Sequence, residues 1–172
     1  MNSSIALGCS HTYGVGVEPS QEWPNLLGAT NLGKSGCSTD YCARTLEDYL
    51  KINTVETVYI LYPNKDRFEY IKEGKVFQSC PTDPNRILFM ETHDDIWCEQ
   101  NYFNQRLTIS ELCCSHGALL VDLELTDLTV IIDNADRWPI GTDGAHFGPL
   151  WHRWVADLFL VKQSFKQYEQ TR

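Results

Sequence analysis

The sequence predicts an α/β fold in which a short parallel sheet is covered on both faces by helices. Three observations carry that expectation. Short apolar runs, Ile5 to Leu7, Thr57 to Tyr62 and Ala118 to Leu123, lack strict polar alternation and read as strands buried on both faces. Helical segments separate them, the clearest being the 3.6-residue stripe of Leu150, Trp151, Trp154, Val155, Leu158 and Phe159. Strands alternating with helices imply parallel pairing through right-handed crossovers. The chain of 172 residues, 42% hydrophobic and 22% charged, suits one domain over 1–172 with a substantial core.

Taken in order, Ile5 to Leu7 is the first strand, and Gly8 and Gly14 flank a small polar turn that displays Ser10. Ser20 to Leu27 is expected as a short helix with Ser20 as N-cap, Pro24 in its first turn and Gly28 closing it. Ala29 to Leu32 is a second strand, and Gly33 to Cys37 a glycine-punctuated loop. Ser38 or Thr39 caps a helix reaching about Lys51, with Cys42, Leu46, Tyr49 and Leu50 on one face. Thr57 to Tyr62 is β-branched and aromatic, a central strand ended by Pro63. An insertion of about residues 67–90 begins as a hairpin: Phe68 to Ile71, a turn at Glu73-Gly74, then Lys75 to Phe77. Thr92 to His116 is helical with uneven apolar spacing that fits two helices, and Ala118 to Leu123 is the next strand. Thr129 to Ile132 is a candidate last strand, Asp133 to Phe147 a polar loop, and Pro149 opens the final helix.

Charge and composition exclude several classes. A net charge of −9 argues against nucleic acid or an anionic membrane as the main partner. No apolar run is long enough to cross a membrane, and the N-terminus lacks the basic start of a signal peptide, so a cytoplasmic location is expected. The seven cysteines are odd in number and follow no framework spacing, which fits free buried thiols. Cys113-Cys114-x-His116 lacks zinc-ligand spacing, and no metal or organic cofactor is expected.

A serine becomes a nucleophile only when a base reaches it. The stretch Gly141-Thr142-Asp143-Gly144-Ala145-His146 offers one: a carboxylate three residues before an imidazole can hold its tautomer while the second ring nitrogen faces the serine. Asp133 and Asp136 are alternative orienters. Gly8-Cys9-Ser10, Asn31-Leu32-Gly33-Lys34-Ser35-Gly36, the post-strand Asn64 and Asp143-x-x-His146 fall in the order of the SGNH hydrolases, or GDSL-like esterases, which the chain resembles over nearly its whole length. The resemblance implies a flavodoxin-like α/β/α sandwich with four or five parallel strands and a β-hairpin insertion. It implies Ser10 as nucleophile, His146 as base and Asp143 as its orienter. The oxyanion hole would come from Ser10, Gly36 and Asn64. It suggests a small ester such as O-acetylated carbohydrate as substrate. Two blocks depart from the family: Gly-Cys-Ser-His replaces Gly-Asp-Ser-apolar, and Tyr62-Pro63-Asn64-Lys65 replaces Gly-x-Asn-Asp. His11 and Trp138 are further candidates for substrate contact.

Two other readings compete. A non-catalytic carbohydrate- or protein-binding module would keep the fold and tolerate the altered block at Asn64. Gly28 to Ser35 also matches the P-loop pattern G-x-x-x-x-G-K-[ST], but that motif needs a strand before its first glycine, and Pro24 argues against one. The Gly-x-Ser-x-Gly elbow of larger α/β-hydrolases is absent, since Thr12 stands at its second glycine.

Overall fold

The computed structural model describes residues 3–79, 95–125 and 138–171. Four parallel strands form the central sheet in the order β2-β1-β3-β6, with β1 Ser4–Gly8, β2 Thr30–Asn31, β3 Thr57–Tyr62 and β6 Leu119–Glu124. This is the flavodoxin-like order through its fourth strand. The register pairs Gly8 with Leu61 and Leu61 with Leu123, so the C-terminal ends of the three longer strands lie side by side. Every residue of β3 is buried, as its unbroken apolar run requires of a central parallel strand.

Helix α3, Thr39–Leu50, packs against α4, Asp95–Ser115; α2, Trp23–Leu26, packs against α5, Pro149–Gln170. These two pairs form the helical layers. Ser38 caps α3 by accepting the Tyr41 N–H at 3.3 Å. The single helix α4 replaces the expected pair over its described part, Asp95 onward. Its uneven pattern has a plain cause: Cys98, Ile109 and Cys113 are buried while Ile96, Phe103 and Leu107 stay exposed.

The segment expected as one helix from Ser20 is broken in two. Pro19–Gln21 is a 3₁₀ turn entered from Glu18, whose N–H donates to Gln21 Oε1 at 3.2 Å. Glu22 then sits extended at ψ 136° and is itself the N-cap of α2, where Pro24 falls in the first turn. Ser20 is therefore not the cap. In α5 the buried side is Trp151, His152, Val155, Ala156 and Phe159, whereas Leu150, expected in the stripe, is exposed.

The hairpin forms as β4 Phe68–Lys72 and β5 Lys75–Ser79, antiparallel. Glu73 and Gly74 both take positive φ, 51° and 73°, the pair of left-handed residues that a type I′ turn demands. Arg44 holds the hairpin to α3 by a two-nitrogen contact with Glu69. The rest of the expected 67–90 insertion, Thr129 to Ile132, Asp133 and Asp136 lie outside the described residues. Strand β2 lies inside the Gly28-to-Ser35 pattern, not before it, so a P-loop is not formed.

At the last strand of the described sheet, Lys166 donates to Leu120 O at 2.7 Å and Lys162 donates to Asp122 O. Burial alone would raise the Asp122 carboxyl, but the hydrogen bond from Lys166 and the charge of Lys162 outweigh it and hold Asp122 ionised.

Candidate active site

Strand β1 ends at Gly8, which has φ 149°. A Cβ there would lie 2.1 Å from Thr12 Oγ1 and 2.6 Å from Leu61 O, so only glycine lets the chain turn directly into α1, Ser10–Tyr13. The Thr12 and Tyr13 amides both donate to Cys9 O at 2.9 Å. Ser10 is the first residue of this turn, 6% exposed, where an amide has no partner within the helix. Burial pushes the neighbouring Cys9 thiol up, so Cys9 does not compete as a thiolate.

The loop after β2 is tied to this turn. Asn31 Nδ2 donates to Thr12 O at 2.8 Å and to Glu22 Oε2 at 2.9 Å, while its Oδ1 accepts the Gly33 N–H at 2.9 Å. Lys34 N–H donates to Gly8 O at 3.0 Å, and the Cys37 thiol donates to the same oxygen at 3.1 Å. Gly36 follows at φ 75° with open space where a Cβ would stand. Among the described residues its N–H donates to no backbone carbonyl. Asn64, half-buried, occupies the turn after β3, where its carbonyl accepts the Arg67 N–H at 3.1 Å.

The Asp143–His146 segment is closed on itself. Gly141 N–H donates to His146 O at 2.7 Å, Gly148 N–H donates to Pro139 O at 2.8 Å, and Ile140 bridges Phe147. Within it Asp143 Oδ1 accepts the His146 amide at 3.1 Å and Oδ2 meets His146 Nδ1 at 2.5 Å. That contact favours the tautomer with its proton on Nδ1 and leaves Nε2 as the ring nitrogen able to accept. The hydrogen bond from His146 pulls the Asp143 carboxyl down to about 2. The segment docks on the loop after α1: Thr142 N–H donates to Gly16 O at 2.9 Å. A Cβ on Gly141 would stand 2.4 Å from Gly16 O, and one on Gly16 would stand 2.6 Å from Asp143 Oδ1. Two glycines therefore set how closely the loops approach.

His11 joins the two halves. Its ring centroid is 5.1 Å from His146, 5.4 Å from Phe147 and 4.9 Å from Trp151. Burial pushes His11 down to about 3, reinforced by the charges of His146, His152 and Arg67, so it is neutral at ordinary pH. Ser10 and His146 are brought to the same edge, although no hydrogen bond among the described residues joins their side chains. Such bonds are often long before substrate binds. Trp138, a candidate for substrate contact, is buried and packs on Trp154 with ring centroids 5.1 Å apart. Among the described residues there is no group of three potential metal ligands; Cys113 is buried in the core and Cys114 is exposed. A cleft of about 370 Å³ lined by Tyr62, Phe103, Arg106, Leu107, Leu120 and Lys166 lies along β6 and contains none of Ser10, Gly36, Asn64, Asp143 and His146.

No protein-family model matches the chain. No curated protein matches it either. Among solved structures, it is similar to a member of the lipolytic protein G-D-S-L family from Veillonella parvula DSM 2008, at 13% sequence identity and a TM-score of 0.46, over 98% of this chain and 97% of that chain. A likeness of that degree does not reach to activity.

Three features escaped the sequence reading. The Gly16–Gly141 contact joins residues 125 apart in sequence, and nothing local pairs the two glycines. His152 is wholly buried and its Nδ1 accepts the Trp23 N–H at 3.2 Å, the bond that seats α2 on α5. Arg67 sends two guanidinium nitrogens into the interior without an acceptor. Only Arg67 had a usable signal, its position three residues after Asn64.

Proposed function

We propose that the chain is an SGNH-type serine esterase that works through an acyl-Ser10 intermediate. The observation that carries this reading is the 2.5 Å contact between Asp143 and His146, in a loop whose imidazole packs on the residue next to Ser10. His146 Nε2 takes the proton of Ser10 as its Oγ attacks the ester carbonyl. The alkoxide leaves with that proton, and water activated by the same nitrogen then cleaves the acyl-enzyme. Asp143, ionised throughout, orients the ring and balances the imidazolium. The amides of Ser10 and Gly36 and the side chain of Asn64 are the donors proposed for the developing oxyanion, each contributing on the order of 3 kcal/mol when aimed at it. A small ester such as O-acetylated carbohydrate is the substrate class we propose.

The test is burst and steady-state release from p-nitrophenyl acetate, combined with fluorophosphonate labelling. Wild type should show a burst and label at Ser10. Ser10→Ala should abolish both, and His146→Ala should lower turnover by about 10²- to 10⁴-fold with the fold intact. A wild type that neither turns over short esters nor labels would favour the binding-module reading.

A further inference from the structure

Arg67 closes the turn that carries Asn64, through its amide bond to the Asn64 carbonyl, and its next residue, Phe68, begins the hairpin. Its positive charge is close enough to the Ser10 turn to bear on both Cys9 and His11. Two of its nitrogens, Nε and Nη1, are closed off from solvent and meet no acceptor. Four other cations of the described residues meet carboxylates. Arg44 meets Glu69, Arg106 meets Glu124 and Asp122, and Lys162 and Lys166 meet Asp122. Among the described residues Arg67 meets no carboxylate. A guanidinium cannot shed its charge by deprotonation, and burying it without an anion is unfavourable. The fold keeps this cation at the sheet edge that holds Ser10, which is where a ligand anion would complete it.

We propose that Arg67 is an anion subsite beside Ser10, and that the ester turned over there carries a carboxylate. This rests on the serine-esterase reading and names its substrate class. A guanidinium nitrogen gives a carboxylate a charge-assisted N–H donor, and Nη2, which is not closed off, is the one a ligand reaches. The charge stands outside the bond being cleaved. It therefore selects the substrate and holds it, while Ser10 and His146 carry out the acyl transfer.

The experiment compares two matched ester pairs. Mono-4-nitrophenyl adipate against 4-nitrophenyl hexanoate puts the carboxylate on the acyl side. 4-Acetoxybenzoate against 4-acetoxybenzamide puts it on the leaving group. In wild type the charged member of at least one pair should have the higher kcat/KM, by about tenfold or more, and high salt should narrow the gap. Arg67→Gln should erase the preference and Arg67→Lys should restore part of it. Equal rates within both pairs, or a preference that survives Arg67→Gln, overturns the subsite while leaving the esterase reading standing. If wild type neither hydrolyses an ester nor labels with fluorophosphonate, the esterase reading has failed on its own. Calorimetric titration with adipate and with 4-hydroxybenzoate then decides the subsite: saturable binding lost in Arg67→Gln supports it, and no binding overturns it.

Discussion

A carboxylate at Asp143 matters through one nitrogen. Its Oδ2 accepts from His146 Nδ1, and the same side chain accepts two backbone amides, of Ala145 and His146, so the bond that orients the imidazole also shapes the turn. Asp143→Asn should keep the turn but present an amide that can donate to Nδ1 and favour the wrong tautomer. We expect kcat to fall by about 10²- to 10⁴-fold, with little change in thermal stability. Because Asp143 titrates only near 2, the acid limb of the wild-type rate profile should contain no step from it above pH 3 or so. A kcat profile of Asp143→Asn that overlays wild type would remove Asp143 from the site.

At the scale of elements, the site is an agreement between three loops rather than a property of any strand. Asn31 and the Gly8 carbonyl lock the Gly36 loop to α1, and Gly16 locks the Asp143–His146 loop to the same turn. Gly141→Ala inserts a methyl group 2.4 Å from Gly16 O, a backbone atom that cannot swing aside. The loop must shift, and displacement of an acid–base group by about 1 Å lowers rate up to about 10²-fold. Gly117→Ala is the contrast: Gly117 takes a left-handed φ of 67°, which Gly141 does not, but it has open space around a Cβ and lies before β6, at the opposite end of the sheet. It should lose about 1 kcal/mol of stability and keep its kcat. Ester turnover and chemical denaturation, measured on both variants, separate the two effects; equal kcat in the two would contradict the docking role.

For the whole molecule, the buried histidines tie stability to pH. Burial lowers His11 to about 3 and His152 to about 4. In the unfolded chain both return to about 6.5. Between pH 6.5 and 4.5 the unfolded state therefore binds more protons than the folded state, and stability falls as pH falls. Each histidine contributes about 1.4 kcal/mol per pH unit once the medium is well below 6.5. Urea unfolding at pH 6.5, 5.5 and 4.5 should show this loss, and His11→Leu should remove about half of the slope. A flat profile over that range would mean that the two rings are not held neutral.

The local code of this chain was enough for the strands, because a run such as TVYILY suits nothing but a buried pleat. It was enough for the Ser38 cap and the Glu73-Gly74 turn, where side-chain chemistry and positive φ act within four residues. It also marked Ser10 and the Asp143–His146 pair, whose spacing is itself the geometry. It failed at Ser20, where two prolines and an extended Glu22 divided a helix. The register of β1 on β3 brings the Ser10 turn and the Asn64 turn to one edge of the sheet, the contact of Gly16 with Gly141 sets how closely the Asp143–His146 loop approaches, and Nε and Nη1 of Arg67 are closed off without an acceptor. Those are contacts between residues far apart in sequence. Periodicity and spacing encode which face of an element is apolar, but the distance between two loops is decided only when the elements beneath them pack.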